Sequence, residues 1–463
     1  MTSSPRAAAS PLPASEVERG ARLSLVEGLF LALMLGLGGE SYFVLDVIRL
    51  SGTRHEQGLV VTLPLFLGAL GPLFVLRLLY GARRRKSLVL AATLGQAASL
   101  FLIAVSDFFA FSTPALLIGG ASLYQVFGQA VGTGWASWFG DLVPESSRGR
   151  TFARRNRWIY VVTCLGLAAG GGLLELCEPG RSARATAGGR GFALVFALAG
   201  LARVVSAFLL AASPEPAFGG LTRPVRVLRF LRTERGSGIG RMMLSTAALF
   251  FTVYVASPYF LPYMKNELSF SYAEVQAAQI AIVLLKVLFA PLWGRSIDQF
   301  GARPVFGLTS VLLSLVPLPW LWASGLGWVL FAQSFSGLSW AGYEVAVFAL
   351  ALERTPKRMR PHVFAVQALL NGSAQLLGSQ AGAVVASLAS ERMKIVFGAS
   401  LLARLGMALA MKRTVSIEKD EGTVGRKDLL LHMIGLRPGG GRAHRALAPD
   451  GRRADAPDGP SPE

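Results

Sequence analysis

Charged residues are scarce in this chain, and their scarcity excludes an ordinary soluble protein. They make up 16% of the 463 residues, whereas soluble proteins carry about 25%. Hydrophobic residues reach 52%, and the mean hydropathy is +0.48. This balance predicts a membrane protein that crosses the bilayer many times.

Cysteine and histidine are also rare, which limits redox and metal chemistry. Cys164 and Cys177 are predicted on or just past one helix, roughly 20 Å apart at 1.5 Å per residue, too far apart to pair with each other. The four histidines show no metal-ligand spacing, and neither a Gly-x-Ser-x-Gly motif nor a Walker-type phosphate loop is present. We therefore expect no enzyme activity, no cofactor and no metal.

The net charge of +19 comes from 46 Lys and Arg residues against 27 Asp and Glu residues. Such an excess can indicate nucleic-acid binding, but here the bases fall in short gaps between apolar runs. They are concentrated after the second, fourth, sixth, eighth and tenth runs, the distribution typical of cytoplasmic loops. We therefore expect both termini to be cytoplasmic, and no nucleic-acid partner.

Twelve stretches are long and apolar enough to span a bilayer, which takes about 20 residues. They lie near residues 24–48, 57–80, 87–106, 113–138, 157–176, 191–212, 242–264, 273–294, 304–324, 327–351, 362–388 and 394–411. The predicted domains are a disordered cytoplasmic tail at residues 1–22, a six-helix bundle at 23–212, a cytoplasmic linker at 213–241, a second six-helix bundle at 242–411 and a cytoplasmic tail at 412–463.

The linker carries Arg223, Arg226, Arg229 and Arg232 at three-residue intervals between apolar side chains. Two interpretations are open for this segment. It forms an amphipathic helix on the anionic inner leaflet, or it is a solvated basic linker.

The two halves share short matches in the same order along the chain. Pro144-x-x-x-Arg148-x-x-x-Phe152-Ala153 recurs as Pro356-x-x-x-Arg360-x-x-x-Phe364-Ala365, and Ala202-Arg203 recurs as Ala403-Arg404. Internal repeats are characteristic of transporter folds. We therefore expect an all-α membrane protein with twelve transmembrane helices in two pseudo-symmetric six-helix bundles.

The turn after the eighth stretch has the pattern Gly294-x-x-x-Asp298-x-x-Gly301-x-Arg303. With the repeat and the twelve stretches, it makes residues 22–411 resemble the major facilitator superfamily of transporters. Glu27–Phe30, Gly39–Phe43 and Trp138–Arg150 are similar to a bacterial subgroup of mostly uncharacterised members. The resemblance implies alternating access, in which two bundles rock around a site lined by the first, fourth, seventh and tenth helices.

Two features depart from the family pattern. Leu78 stands in the first half where Asp298 stands in the second, which implies a one-sided latch. The fifth helix has Gly166 and Gly170 but lacks the Gly-Pro pair of the family's drug/proton antiporters. The second departure argues against drug efflux.

Asp298 is the first candidate site residue. The resemblance places it opposite the N-terminus of the fifth helix, which carries Arg148, and a carboxylate there gains about 0.3–1 kcal/mol. This contact would favour the state whose inner gate is closed. Gly294, Gly301 and Arg303 complete the predicted gating loop. The alternative is a turn carboxylate with no gating role.

Charges inside the membrane are costly and usually face the protein interior. Glu40 is the candidate for proton coupling; the alternative is a structural carboxylate bonded to a neighbouring helix. Lys286 is a candidate for binding an anionic substrate; the alternatives are a buried ion pair and a lysine that extends to the interface. Glu344 is expected to line the inner half of the cavity, and Arg203 and Arg404 to be structural.

Aromatic and amide side chains supply the remaining candidates for a substrate cavity, because rings stack on ligands and amides bind polar groups. They are Tyr42, Gln125, Gln129, Tyr259, Trp340 and Tyr343. The eleventh helix also carries Gln367, Asn371, Gln375 and Ser379 on one face, and Pro258 and Pro262 are expected to bend the seventh. The alternative for each residue is a hydrogen bond between helices or an interface position.

Together these features predict a secondary active transporter of the bacterial inner membrane that moves a small organic solute. Its expected partners are the lipid bilayer, the solute and, as the coupling ion, protons; the expected state is a monomer. The alternative is a non-transporting membrane sensor or assembly partner with the same fold. Intramembrane charges that face a shared cavity would favour transport, whereas charges all held in ion pairs would favour the alternative.

Overall fold

The computed structural model describes residues 13–79, 85–143, 145–178, 189–216, 237–355, 360–390 and 392–415. These ranges contain helices and turns but no strand. The first half contains α1 (Ala14–Leu37), α2 (Glu40–Arg49), α3 (Arg54–Leu79), α4 (Lys86–Phe108), α5 (Pro114–Leu142), α6 (Glu145–Cys177) and α7 (Arg190–Ala212). The second half contains α8 (Gly238–Tyr254), α9 (Tyr272–Phe300), α10 (Ala302–Leu315), α11 (Leu326–Arg354), α12 (Arg360–Leu388) and α13 (Met393–Val415).

Ten helical segments of the described ranges are long and apolar enough to cross a membrane. α1 and α2 together form one of them, and α8 with the turns that follow it forms another. The helices α3 and α12, of 26 and 29 residues, lie at the positions of the second and eleventh predicted spans. The structure therefore has the predicted all-α membrane architecture.

Three predicted boundaries need correction. α1 begins at Ala14, so the last part of the predicted disordered tail is helical. It is held there because Gly20 packs against Leu142 and Pro214. α8 begins at Gly238, where the Ser237 hydroxyl accepts the Gly240 N–H as an N-cap, which shortens the linker.

α13 continues to Val415, three residues beyond the start of the predicted tail. The proposed interfacial helix with Arg223, Arg226, Arg229 and Arg232 lies outside the described residues. So do residues 1–12 and 416–463.

The helices pack mainly within two groups. In the first, α4 lies against α5 and α7, α3 against α5, and α1 against α6 and α7. In the second, α11 lies against α9 and α10, α8 against α12, and α13 against α8 and α10. We call α1–α7 the first bundle and α8–α13 the second bundle. They meet along two helix pairs, α3 with α12 and α6 with α9.

Glycines permit the closest of these contacts. A Cβ on Gly166 of α6 would lie 2.9 Å from the Gly36 Cα of α1, and Gly378 of α12 meets the Phe251 carbonyl of α8. Close approach through small residues is how helices associate in membranes, where no hydrophobic force drives them together.

Two helical segments are interrupted. Gly38 and Gly39 separate α1 from α2, and this break places Glu40 in the first turn of α2. After α8 the chain continues through 3-10 and π turns that contain Pro258 and Pro262. The irregular turns of the seventh span therefore lie where its prolines were expected to bend it, since proline removes a backbone hydrogen bond of the helix.

The helix ends and turns gather at two opposite ends of the molecule. One end, which we call the termini end, carries the start of α1, the turn between α9 and α10 and the end of α13. The opposite end carries the turns from α2 to α3, from α4 to α5 and from α12 to α13. We call it the distal end.

Candidate functional site

A cavity of about 720 Å³ lies between the two bundles. Its walls come from α1, α2, α3 and α6 on one side and from α8, α9, α11 and α12 on the other. We call it the central cavity. Its size falls in the range of about 300–1,000 Å³ that is usual for small-molecule sites. Near the termini end its lining extends to Met242, Ala351 and Phe364.

Glu40 is the acidic residue that the first bundle contributes to this lining. Its side chain is accessible from the cavity, although it lies deep within the molecule. Among the described residues, no hydrogen-bond or ion-pair partner holds its carboxylate. Its place in the first turn of α2 is favourable for a negative charge, because a helix N-terminus carries partial positive charge.

Lys286 and Glu344 face the same cavity from the second bundle. The Lys286 Nζ lies 2.7 Å from the Glu344 Oε1, and the two side chains are 33% and 49% exposed. The ion pair joins α9 to α11. The pairing that we considered as an alternative for Lys286 is therefore what the structure contains, and both charges remain accessible from the cavity.

An aromatic cluster lies beside this ion pair. The rings of Trp340 and Tyr343 are 6.0 Å apart between centroids, and Phe250 lies 5.8 Å from Trp340. Tyr254 completes the group, with its ring 6.3 Å from that of Phe250 between centroids. All four rings line the central cavity, as predicted for Trp340 and Tyr343.

Tyr42 and Tyr259, predicted in the substrate cavity, do not line it. Tyr42 is fully buried against Gly170, and its hydroxyl donates to the Leu167 carbonyl at 3.0 Å. Tyr259 is equally buried, and its hydroxyl donates to the Ser379 carbonyl at 2.6 Å. Each ring packs against a glycine of a neighbouring helix, where no Cβ occupies the space. The two tyrosines therefore pack between helices and do not face the cavity.

Gln125 and Gln129 were also predicted in the substrate cavity, but the structure places them elsewhere. Both contact Gly68, because α5 packs closely against α3, and neither residue lines the central cavity. They line instead a smaller cavity of about 250 Å³ inside the first bundle. We call it the bundle cavity.

Several polar residues line the central cavity that were not predicted from the sequence. Gln279 lies two helical turns before Lys286 on α9, and Gln333 and Ser336 precede Trp340 on α11 at helical spacing. This periodicity was a usable signal, since residues three, four or seven apart share a helix face. Gln367 and Asn371, from the polar face noted on the eleventh span, also line the cavity.

Hydrogen bonds between the bundles close the distal end. The Thr62 and Ser379 hydroxyls lie 2.7 Å apart, and the His55 Nδ1 lies 2.9 Å from the Gln380 Oε1. The Tyr272 N–H donates to the Glu175 Oε2 at 3.1 Å. These three contacts all lie in the half of the molecule that contains the distal end.

The predicted gating loop is mostly helical. Gly294 lies inside α9, and only Gly301, with a φ of +81°, forms the turn to α10. Asp298 lies in the last turn of α9, where it is exposed and has no ion-pair partner among the described residues. Arg303 lies in the first turn of α10 and Arg148 in the first turn of α6. The Arg148 side chain lies outside the described part.

A group of buried charges lies beside the bundle cavity. Glu27 accepts a hydrogen bond from the Arg155 Nη2 at 2.7 Å and another from the Ser206 hydroxyl at 2.8 Å. The Arg155 guanidinium also stacks over Trp135, 4.2 Å from the ring centroid. The sequence analysis noted Glu27 only within the segment Glu27–Phe30 and did not predict its ion pair, because its partners lie more than a hundred residues away in the chain.

Comparisons with known proteins agree with this architecture. Residues 242–447 match the model of the Major Facilitator Superfamily. No curated protein matches the chain.

Solved transporter structures share the fold at low sequence identity. A peptide transporter POT in complex with alafosfalin has a TM-score of 0.64 at 12% identity, over 87% of this chain and 99% of that one. The nucleoside transporter NupG has a TM-score of 0.63 at 10% identity, over 86% and 99%. A D-xylose-proton symporter has a TM-score of 0.57 at 16% identity, over 85% and 97%.

Proposed function

We propose that this chain is a secondary active transporter of the major facilitator superfamily, whose family model matches residues 242–447, and that it moves a small organic solute across the bacterial inner membrane. The solute would bind in the central cavity between the two bundles. Alternating closure of the distal end and the termini end would then expose that cavity to one side of the membrane at a time. On the charge distribution of the loops, both chain termini are cytoplasmic.

The observation that carries this proposal is the set of charges in one cavity. Glu40 comes from the first bundle, and the pair of Lys286 and Glu344 comes from the second. Charged side chains at membrane depth are costly unless they serve a pathway or a partner. Charges that share an accessible cavity favour transport over the alternative of a non-transporting sensor.

The lining also indicates what kind of solute fits. Four aromatic rings offer stacking surfaces, and the amides of Gln279, Gln333 and Gln367 offer hydrogen bonds. The paired charges of Lys286 and Glu344 can each receive an opposite charge from the solute. A small molecule with a planar or ring portion and several polar groups matches these walls.

Glu40 is the proposed coupling residue for protons. It lies in the cavity without a partner among the described residues, so protonation changes its charge without breaking an ion pair. Asp298 is the proposed latch at the termini end. In the present arrangement, with hydrogen bonds between the bundles at the distal end, Asp298 is exposed, as expected while such a latch is released.

Uptake into proteoliposomes across a panel of organic anions, sugars and organic cations tests the proposal. We expect one solute class to be transported, and Trp340→Ala to abolish that transport because it removes an aromatic wall of the cavity. Trp322→Ala is the matched control, since Trp322 is 59% exposed and outside the cavity lining. Folded wild-type protein that transports nothing from the panel, or transport that survives Trp340→Ala unchanged, would count against the proposed site.

A further inference from the structure

The charges at the bundle cavity do not balance. Two guanidinium groups, those of Arg155 and Arg203, accompany a single carboxylate, that of Glu27, and these are the charged residues of its described lining. The three side chains are 6%, 1% and 2% exposed, respectively. An uncompensated charge at this depth in a membrane is costly, so the excess positive charge favours a negative partner.

The hydrogen-bond donors there are not all used. Glu27 is engaged by Arg155 and by the Ser206 hydroxyl, and that hydroxyl in turn accepts a hydrogen bond from the Arg203 Nη1 at 3.0 Å. The same Nη1 lies 3.6 Å from the Glu27 Oε1, beyond hydrogen-bond distance. Among the described residues, neither the Arg203 Nε nor the Tyr124 hydroxyl has a partner, although both are buried. Arg203 and Tyr124 both line the bundle cavity.

The second bundle offers an internal comparison. Arg404 occupies the position that matches Arg203 and is just as buried. Its guanidinium donates to the Ser400 hydroxyl and to the carbonyls of Leu313 and Val253, at 3.0, 3.1 and 2.8 Å. Neutral oxygens therefore take up the Nε, Nη1 and Nη2 donors of Arg404, whereas in Arg203 the Nη1 bonds to Ser206 and the Nε has no partner among the described residues.

We propose that the bundle cavity binds a small monovalent anion, a halide or a short carboxylate. The Arg203 guanidinium and the Tyr124 hydroxyl donate to the anion, and the amides of Gln125 and Gln129 can add N–H donors. The cavity volume of about 250 Å³ has room for such an ion together with several water molecules. Leu35 lies in the linings of both cavities, so this site adjoins the central cavity without being part of it.

The site does not depend on the proposed transport function, and binding to the purified full-length protein tests it. We would measure thermal unfolding in detergent while sodium chloride replaces sodium gluconate at constant ionic strength, and repeat the series with sodium acetate. A ligand that binds the folded state raises the unfolding temperature in a saturable way. Equilibrium binding of labelled chloride then gives the stoichiometry, which should be one anion per chain. Chloride binding alone identifies a halide site, and acetate binding alone a carboxylate site.

Tyr124→Phe is the diagnostic variant, because the hydroxyl it removes has no partner within the described protein and its loss should not disturb folding. We expect the anion affinity to fall about tenfold, the effect of losing one hydrogen bond to a charged group. Tyr263→Phe is the matched control. It removes a buried hydroxyl of the second bundle, far from the bundle cavity in sequence, that donates to the Ala323 carbonyl of the same bundle. It should leave the anion affinity unchanged.

A second variant tests the sign of the charge argument. Glu27→Gln removes the carboxylate that competes with the anion, so the folded variant should bind chloride or acetate more tightly than the wild type. The proposal is overturned if neither anion gives a saturable response. It is also overturned if Tyr124→Phe retains wild-type affinity, because the anion would then bind elsewhere.

Discussion

The hydrogen bonds at the distal end should set the balance between the two states of the proposed alternating-access cycle. Thr62→Val removes the hydroxyl that meets Ser379, and Gln380→Leu removes the amide that meets His55. Each net hydrogen bond contributes about 0.5–1.5 kcal/mol, so the double variant should shift the balance by roughly 1–3 kcal/mol. A shift of about 2 kcal/mol raises a state populated at about 1% to roughly a quarter of the molecules.

Distances between spin labels at the distal end measure this shift directly. Phe111→Cys and Trp322→Cys place labels on the first and second bundles at positions that are 51% and 59% exposed. The native thiols are first removed with Cys164→Ala and Cys177→Ser. We expect the double variant to gain a longer-distance population that the parent protein shows only weakly.

The control is Thr93→Val, which deletes a buried threonine hydroxyl whose bond stays within α4. It should leave the distance distribution as in the parent. If Thr62→Val with Gln380→Leu gives the parent distribution too, the distal hydrogen bonds do not hold the bundles together and the reasoning is refuted.

Two further predictions concern stability. Glu27→Gln should lower the free energy of unfolding by about 3–5 kcal/mol, because it leaves two buried guanidinium groups without a carboxylate. The control is Glu18→Gln, which removes an exposed ion pair with Arg22 and should change the free energy of unfolding by less than about 1 kcal/mol. Equal effects of the two variants in thermal melts would contradict the account. Gly170→Ala should also destabilise the protein, since its Cβ would overlap the Tyr42 hydroxyl, and Tyr42→Phe should partly restore stability. Gly172→Ala, which meets no neighbour within 4 Å, should be neutral or slightly stabilising, and a loss as large as that of Gly170→Ala would remove the steric explanation.

Apolar length made the spans predictable, and helical periodicity made some of the site predictable. An unbroken run of about 20 apolar residues has few alternatives to a membrane helix. A charge within such a run is costly enough to attract notice, which is why Glu40, Lys286 and Glu344 were identified. All three line the central cavity.

The neighbours of each helix face could not be predicted in the same way. Gln125 and Gln129 lie on a polar face of α5, but the sequence does not say that α3 packs over that face through Gly68. Tyr42 and Tyr259 looked like ligand-binding aromatics because nothing local marks a ring that packs over a distant glycine. The network of Glu27, Arg155 and Arg203 was missed for the same reason, since three separate helices bring it together.

Proton coupling through Glu40 is the most specific part of the proposed mechanism, and solute-driven proton flux in proteoliposomes tests it most directly. Wild-type protein should acidify or alkalinise the lumen when the transported solute is added. Glu40→Gln should abolish that flux while exchange of labelled solute for unlabelled solute continues. Glu353→Gln, an exposed carboxylate on α11 outside the cavity, should behave as the wild type. Proton flux that survives Glu40→Gln at the wild-type rate would contradict the account.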